Sequence, residues 1–397
     1  MNICFFNDEK ASSFQPLTLT RPMDDLRVGI YSIRDKWRRV LGATFICRLL
    51  PVYLEGVFSS GEMNEKEDVL WINPRLLPSE KMVAKIEGLN AGQKIDYKGQ
   101  CLAARIDGEK SILLFKKRTF TGSDLEPVDI SEAIILENLW DLLTLNAFEI
   151  EKDIPLTGLK TESEKDGDIQ NNIYNPENTF LGKGVSIEPG AIVIAKDGPV
   201  VIMDGATIEA GSIVKGPVVV GEDATIKMAA RVYGGTTIGP VCKVGGEISN
   251  CIFHSYSNKG HDGFVGNSIF GQWVNLGADT NTSNLKNNYS SVRIFDWETK
   301  KEIETGAQFL GTIMGDHSKT AINTMLNTGT ICGVSSNIFM SGFPPKYIPS
   351  FSWVGAEEYG EYQFDKAVEA MHAMMKRRTV DLSDAYKNMM QHISTSR

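Results

Sequence analysis

The chain has 397 residues, a length that favours two or three domains. Hydrophobic residues make up 42% of it and charged residues 23%, which excludes a fibrous or disordered chain. The net charge of −9 argues against a general binder of nucleic acid or membrane surfaces, but it is compatible with a local basic pocket for a phosphorylated small molecule.

Cysteine usage and hydropathy indicate a cytoplasmic protein. The six cysteines lie far apart and form no CxxC pair, which disfavours a zinc site or a disulfide framework. We predict no metal site. No basic region followed by an apolar run opens the chain, and no run of ~18 apolar residues occurs. We therefore expect reduced thiols, no membrane association and no export.

Residues 1–155 predict an α/β domain, because short apolar strands alternate with segments of helical periodicity. The predicted elements are a strand at Asn2 to Phe6, a helix at Ile30 to Leu41, a strand at Val69 to Ile72, a helix at Ser79 to Leu89, a hairpin of Cys101 to Ile106 and Ser111 to Phe115 around Asp107-Gly108, and the clearest helix at Ile130 to Asn146.

The segments PLTLTRP (16–22) and ENLWDLLTLNAFEI (137–150) resemble the sugar-phosphate nucleotidyltransferases and their two-domain members. That family holds nucleotide phosphates on a glycine-rich loop before the PLT element, but no glycine precedes Gly29 here. The family's lysine after TRP is Met23, and Asn73-Pro74 stands where a metal-binding glycine-aspartate pair is expected. We predict a domain that keeps this fold without its chemistry; a working nucleotidyltransferase is the alternative.

Residues 156–178 are polar and lack periodicity, so they predict a linker. Within residues 179–355 an aliphatic residue recurs at every sixth position from Ile202 to Val244, a period that fits neither a helix nor a single strand. The same spacing occurs in shorter stretches before and after, and it resumes beyond an interruption. It predicts triangular coils of three short strands, with the aliphatic residues pointing inward and the coils stacked. The repeat includes Leu181, Ile187, Val193, Ile202, Ile208, Val214, Val220, Ile226, Val232, Ile238, Val244, Phe264, Phe270, Leu276, Met314, Thr320, Leu326, Cys332 and Ile338.

These rungs resemble the hexapeptide repeats of left-handed parallel β-helix proteins, and the left hand comes from that resemblance. The stretch from Ser257 to Asn284 (SNKGHDGFVGNSIFGQWVNLGADTNTSN) is similar to the acetyltransferase domain of the bifunctional N-acetylglucosamine-1-phosphate uridyltransferases and their archaeal sugar-phosphate relatives. The resemblance implies that His261 is the general base and that the backbone N–H of Ala278 stabilises the thioester oxyanion. An imidazole with a pKa near ~6.5 suits the removal of a proton from an attacking amine.

The same resemblance implies substrate contacts. Asn275 and Asn284 would hold sugar hydroxyls or orient the amine, and Arg231 would hold the sugar phosphate. As alternatives, Asn275 is a corner residue or part of a stacked amide ladder, and Arg231 is a solvated surface residue. Ser249 and Phe264 stand where the family has a lysine and a tyrosine, so the identity of the acceptor sugar is left open. Lys259 either supplies a compensating positive charge or is an ordinary surface lysine.

Coenzyme contacts are also implied by the resemblance. The pantetheine arm of acetyl-CoA would lie along Ala321, Ile322, Met340 and Ser341 in a groove between the subunits of a homotrimer. Lys319 would reach a coenzyme phosphate. The polar interruption at 279–308 would reach across the trimer, with Lys286, Arg293 and Lys300 as weak phosphate candidates against solvated loop charges.

Residues 356–397 predict a helical tail, with apolar spacing from Phe364 to Ile393 and Ser383 as a helix N-cap. We expect the tail to cap the open end of the β-helix. Taken together, the sequence predicts an acetyl-CoA-dependent N-acyltransferase acting on an amino-sugar phosphate or a nucleotide-linked amino sugar. The alternatives are a diverged sugar-1-phosphate nucleotidyltransferase and a non-catalytic scaffold that binds a sugar nucleotide.

Overall fold

A computed structural model of the chain describes residues 2–43, 45–63, 67–162, 172–355 and 359–396. The chain forms two compact units. The first unit consists of Met1–Phe14, Arg21–Leu26 and Tyr31–Asp141. The second consists of Gln15–Thr20, Arg27–Ile30 and Leu142–Arg397, so two short segments from the start of the chain belong with the carboxy-terminal unit.

The first unit is an α/β domain around a mixed six-stranded sheet with the strand order β4-β1-β5-β8-β7-β9. Strand β1 runs parallel to β4 and β5, and all four residues of both β1 and β5 are buried. In chain order the strands are β1 (Asn2–Phe5), β2 (Arg27–Val28, in the second unit), β3 (Tyr31–Ser32), β4 (Phe45–Arg48), β5 (Val69–Ile72), β6 (Leu76–Leu77), β7 (Gln93–Tyr97), β8 (Gln100–Ile106), β9 (Glu126–Asp129) and β10 (Ile134–Ile135). The helices are α1 (Ile33–Val40), α2 (Glu80–Glu87) and α3 (Gly108–Lys116), and short 3-10 helices cover Glu9–Phe14, Met23–Asp25 and Val52–Leu54. Helix α4 (Asp141–Thr157) follows and belongs from Leu142 onward to the second unit, as does the 3-10 helix Leu17–Leu19.

Two predictions for this part of the chain are wrong. Asp107-Gly108 does not turn a hairpin, because the Asp107 carboxylate accepts a hydrogen bond from the Lys110 N–H (2.8 Å) and caps α3. The apolar run from Ile130 is not helical at its start, since β10 pairs antiparallel with β6 and α4 begins only at Asp141. The predicted strands at β1 and β5 and the predicted helices at α1 and α2 are confirmed.

The second unit contains a parallel β-solenoid, in which each coil contributes one short strand to each of three faces. Face A consists of Thr179–Leu181, Val200–Ile202, Val218–Val220, Thr236–Ile238, Ile252–Ser255, Ile269–Gln272, Ile313–Met314, Ile331–Cys332 and Tyr347–Ile348. Face B consists of Ser186–Ile187, Thr207–Ile208, Thr225–Ile226, Lys243–Val244, Asn258–Lys259, Lys319–Thr320, Asn337–Phe339 and Ser352–Gly355. Tyr359–Glu361 extends this face as an antiparallel strand beside Ser352–Gly355. Face C consists of Ile173–Tyr174, Ile192–Ile194, Ile213–Lys215, Arg231–Val232, Glu247–Ser249, Phe264–Gly266, Asn281–Thr282 and Met325–Leu326.

The predicted architecture, an α/β domain followed by a parallel β-solenoid and a helical tail, is confirmed. The aliphatic residues of the six-residue period form one continuous buried core along the solenoid. The period is wrong at Phe264, because the coils after Val244 are shorter and Val265 takes the inward position instead. The solenoid also starts earlier than predicted, since Ile173 and Tyr174 already pair with the next coil; residues 163–171 of the predicted linker lie outside the described residues.

The carboxy-terminal tail forms two helices, α5 (Phe364–Lys376) and α6 (Asp384–Thr395), and Ser383 caps α6 as predicted. The tail does not cap the open end of the solenoid. It lies along the side, where α5 borders a cavity with Lys243 and Asn275, and the Tyr386 hydroxyl lies 3.0 Å from Nε2 of His317, in the third coil from the carboxy-terminal end. Among the residues that the structure describes, no helix combines the length and the apolar composition needed to cross a bilayer.

Candidate functional site

Most of the predicted catalytic and coenzyme-binding residues lie along one edge of the solenoid, where face B turns into face C. We call this edge the B–C corner column and define it by the turns 260–263, 277–280, 321–324 and 340–342. Backbone hydrogen bonds connect the first three turns, from Asp279 N–H to Asp262 O (2.9 Å) and from Asn323 N–H to Ala278 O (2.8 Å). The column brings together His261, Ala278, Ala321, Ile322, Met340 and Ser341.

His261 lies in the first turn of this column, directly after the face B strand Asn258–Lys259. The residue is exposed, and its imidazole makes no hydrogen bond or ion pair with another residue that the structure describes. Its backbone carbonyl, in contrast, accepts a hydrogen bond from Lys259. The ring is therefore open to a ligand while the backbone that carries it is held.

Lys259 is fully buried, so the prediction of an ordinary surface lysine is wrong. It occupies an inward position of face B, in register with Val244 of the preceding coil. Its ammonium donates to the carbonyl oxygens of His261 and of Asp262, the latter at 2.6 Å. Burial lowers the pKa of Lys259 to about 8, although Asp262 and Asp279 partly oppose this shift. To bind a substrate, the Lys259 ammonium would have to break its hydrogen bonds to these two carbonyl oxygens.

Ala278 lies one coil above His261, in a turn that begins at Gly277. Its carbonyl oxygen accepts the Asn323 N–H, whereas its own N–H has no acceptor among the described residues. Gly277 approaches the next coil so closely that a Cβ there would lie 2.4 Å from the Ala321 oxygen. The turn therefore presents one backbone donor that a developing oxyanion can accept.

The two predicted asparagines each form an amide pair with the preceding coil. Asn258 donates through Nδ2 to Oδ1 of Asn275 (3.2 Å), and Asn284 donates through Nδ2 to Oδ1 of Asn267 (2.7 Å). These contacts match the stacked amide ladder that was the alternative for Asn275. They leave hydrogen-bonding capacity on both side chains, because an amide group has two donors and an acceptor with two lone pairs.

The predicted phosphate ligand Arg231 lies on face C, in a row with Glu247 and Phe264 of the next two coils. Its guanidinium lies 3.3 Å from the Glu247 carboxylate, and both side chains are largely exposed. An exposed pair of this kind contributes little to stability. Glu247 was not predicted from the sequence, and only the register between coils places it beside Arg231.

Lys319 lies on face B, in register with Asn275. Its ammonium donates to the carbonyl oxygen of His317 (2.9 Å), and burial lowers its pKa to about 8. In the interruption at 279–308, Arg293 is paired with Glu302 and Glu304 in a hairpin. The basic residues predicted to reach phosphates thus have protein partners in this structure.

In the first unit, a buried arginine lies next to the residues for which the family resemblance implies a metal. Arg75 is fully buried, and its guanidinium donates to Asp8, Glu137, Gln100 and the Leu136 carbonyl. Asn73, at the position expected for the metal-binding pair, donates to the same Asp8 carboxylate (2.8 Å). Within the described ranges, no group of three or more His, Cys, Asp or Glu side chains is arranged to hold a metal ion.

Comparison with known proteins agrees with the sequence resemblance. Residues 3–161 match the family described as sugar nucleotidyl transferase. The chain is 33% identical over 145 residues to a bifunctional sugar-1-phosphate nucleotidylyltransferase/acetyltransferase of Sulfurisphaera tokodaii, a match that covers 36% of this chain and 35% of the relative. It is 37% identical over 171 residues to the bifunctional protein GlmU of Methanococcus maripaludis, covering 42% of this chain and 41% of the relative. The matches thus span less than half the length of these curated relatives.

Solved structures of UDP-N-acetylglucosamine acyltransferases are more distant. The enzyme from Arabidopsis is 14% identical, with 53% of this chain and 77% of that chain covered and a TM-score of 0.28. The enzyme from Campylobacter jejuni is 16% identical, with 56% and 95% covered and a TM-score of 0.28. At these scores neither likeness bears on function. The match of residues 3–161 to the sugar nucleotidyl transferase family and the similarity to two bifunctional relatives confirm the predicted resemblance for these parts of the chain.

Proposed function

We propose that the chain is an N-acyltransferase that moves an acetyl group from acetyl-CoA to the amine of an amino-sugar phosphate or a nucleotide-linked amino sugar. The observation that carries this proposal is the B–C corner column, in which an exposed imidazole at His261 lies one coil below an unused backbone donor at Ala278. The name of one curated relative, a bifunctional sugar-1-phosphate nucleotidylyltransferase/acetyltransferase, fits such a reaction.

The proposed reaction needs two groups from the chain. The amine nitrogen of the acceptor attacks the thioester carbon, and His261 takes the proton that the nitrogen loses. The thioester oxygen becomes an oxyanion, to which the Ala278 N–H donates. When the C–S bond breaks, the imidazolium returns the proton to the leaving thiolate. The products are the amide and free coenzyme A, and His261 ends in its starting state.

We further propose that acceptor and coenzyme approach the column from its two sides. Asn284, Arg231 and Phe264 lie on or next to face C and would contact the sugar; Asn275 borders the column on face B. Ala321, Ile322, Met340 and Ser341 continue the column along the proposed path of the pantetheine arm. Ile322 is 69% exposed and Met340 half-buried, so this edge offers apolar surface to such a chain. In a cytoplasmic homotrimer, a second copy would cover that path.

The first domain, in this proposal, does not transfer nucleotides. Nucleotidyl transfer requires a divalent metal on carboxylates, and Asp8 is instead neutralised by the buried guanidinium of Arg75. The residues present do not fit a metal, so no catalytic step is assigned to this domain. The second candidate function, sugar-1-phosphate nucleotidyl transfer, is favoured by the family match at 3–161.

The test measures thiol release from acetyl-CoA in the presence of glucosamine-1-phosphate and of other amino-sugar phosphates or UDP-linked amino sugars. His261→Ala is expected to reduce kcat by ~10²–10⁴. His372→Ala, an exposed histidine on α5, is the matched control and should leave the rate unchanged. Turnover that survives His261→Ala would overturn the assignment of the base. Release of pyrophosphate from a nucleoside triphosphate and a sugar-1-phosphate would favour the second candidate, and binding without any turnover would favour a scaffold.

A further inference from the structure

A cavity of about 580 Å³ lies between face B of the solenoid and helix α5. On the solenoid side it is lined by Lys243, Tyr256, Asn258 and Asn275. On the helix side it is lined by Arg377 and Arg378, which follow the last turn of α5. Its volume lies within the range of cavities that bind small molecules, which is roughly 300–1,000 Å³.

The cavity carries positive charge that the chain does not neutralise. Lys243, Arg377 and Arg378 line it, and no Asp or Glu side chain does so. None of the three makes an ion pair or a side-chain hydrogen bond with another described residue. This differs from the predicted phosphate ligands, since Arg231 faces Glu247 and Arg293 faces Glu302 and Glu304.

Two neighbouring features do not remove this charge. Lys243 acts electrostatically on Glu209, but Glu209 is already paired with Lys227. The end of α5 favours cations through the helix dipole, which accounts for Arg377 and Arg378. The dipole does not account for Lys243, which belongs to a strand on the opposite wall. Cations brought together from two elements in a chain of net charge −9 indicate an anionic ligand.

The remaining lining groups limit the kind of anion. Asn258 and Asn275 add amide donors beside the cations, and the Tyr256 ring is stacked on Trp273 with their centroids 4.3 Å apart. Val274 and Met374 supply apolar wall. A guanidinium can bind two oxygens of a phosphate or of a carboxylate at once. The attraction is stronger for a phosphate, because it carries the higher negative charge.

We propose that this cavity binds the phosphate or diphosphate group of a phosphorylated small molecule, with Lys243, Arg377 and Arg378 as its ligands. The cavity shares Asn275 with the proposed acyl-transfer site, but its binding does not require His261; only where the phosphate is that of the coenzyme does the inference rest on the proposed function. The phosphate belongs either to the coenzyme or to a nucleotide, and the chemistry of the cavity is the same for both.

Titration calorimetry of the full-length protein tests this with inorganic pyrophosphate, adenosine 3′,5′-bisphosphate and UDP as probes. We expect at least one of them to bind, with an affinity that falls as salt concentration rises. Lys243→Gln alone, and Arg377→Gln with Arg378→Gln, should each weaken that binding by ~10-fold or more. Lys376→Gln changes a neighbouring exposed lysine that does not line the cavity, so it should leave the affinity unchanged.

The probes also identify the source of the phosphate. Tighter binding of adenosine 3′,5′-bisphosphate, with competition by coenzyme A, assigns the site to the coenzyme, and tighter binding of UDP assigns it to a nucleotide. The His261→Ala variant should bind the probe normally, so a failure of the proposed acyl transfer is separable from a failure of this site. The proposal is overturned if no probe binds, or if binding is equal in the wild type and in both Gln variants.

Discussion

Lys259→Met tests whether burial, rather than its hydrogen bonds, determines the protonation of the lysine below the His261 turn. The substitution removes the ammonium and keeps a long flexible side chain in the inward row of face B. Burial lowers the pKa of Lys259 from 10.5 to about 8. Between these two values the unfolded chain binds a proton that the folded chain does not, so the stability of the wild type rises with pH. Methionine does not titrate, and the variant lacks this contribution.

The shift in pKa sets the size of the effect. A lowering from 10.5 to about 8 corresponds to at most about 3 kcal/mol. From pH ~7 to pH ~9.5 the wild type should therefore gain about 2 kcal/mol in free energy of unfolding relative to Lys259→Met. A lysine stabilised by a carboxylate would give the opposite sign. Lys319 titrates in the same range, but it is present in both proteins and cancels in the difference.

The assay is urea unfolding followed by tryptophan fluorescence at the two pH values. The difference at a single pH also contains the lost bonds to the His261 and Asp262 carbonyls, so only its pH dependence is diagnostic. Lys376→Met, at an exposed position of α5, is the control and should show no pH-dependent difference. A difference for Lys259→Met that is constant with pH, or that falls as the pH rises, refutes the reasoning.

Three further predictions concern the second unit. Thr20→Val removes the 2.9 Å hydrogen bond to the buried Asp316 carboxylate and should lower the free energy of unfolding by about 1–3 kcal/mol. Thr18→Val is the control and should have a smaller effect, so equal effects of the two variants in urea unfolding would contradict this prediction. Gly29→Ala places a Cβ 2.6 Å from Asp153 Oδ2 at a φ of +74°, so it should destabilise the protein more than Gly42→Ala, at a glycine with a φ of +56° and open space around it. If calorimetry shows no larger fall in Tm for Gly29→Ala, the packing of this turn is not as described. Burial raises the pKa of the thiols of Cys242, Cys251 and Cys332 to about 12, so a disulfide reagent at pH ~8 should label them only after unfolding. Rapid labelling of the native protein would show that the solenoid opens at these positions.

The sequence predicted the solenoid well because its core repeats. Each inward aliphatic residue packs on equivalent residues in neighbouring coils, so one local period carries the whole arrangement. The prediction failed where coil length changed, and Phe264 was placed in the core where Val265 belongs. It also failed at Asp107-Gly108, because this pair suits both a hairpin turn and a helix N-terminus, and only the neighbouring packing decides between them.

The sequence predicted those parts of the candidate site that lie in one continuous segment of the chain. The turns that carry His261 and Ala278 were anticipated from the family resemblance, and they do lie next to each other. The inward position of Lys259 was not, since it depends on the shortened coils. The cavity with Arg377 and Arg378 was missed for another reason, because amphipathic spacing reveals that a tail helix packs but not against which face.

The membership of Gln15–Thr20 and Arg27–Ile30 in the second unit bears on how the gene can be divided. Gly29 donates to Asn146 and accepts from Thr237, and Thr20 donates to Asp316. A recombinant fragment that starts after the polar stretch near residue 172 would contain Thr237 and Asp316 without these partners, and it would lack both Gly29 and Asn146. Recombination between homologous genes at that stretch would likewise combine this solenoid with the residues that another protein has in place of Thr20 and Gly29. An exchange of the two halves therefore has to keep both amino-terminal segments together with the carboxy-terminal part.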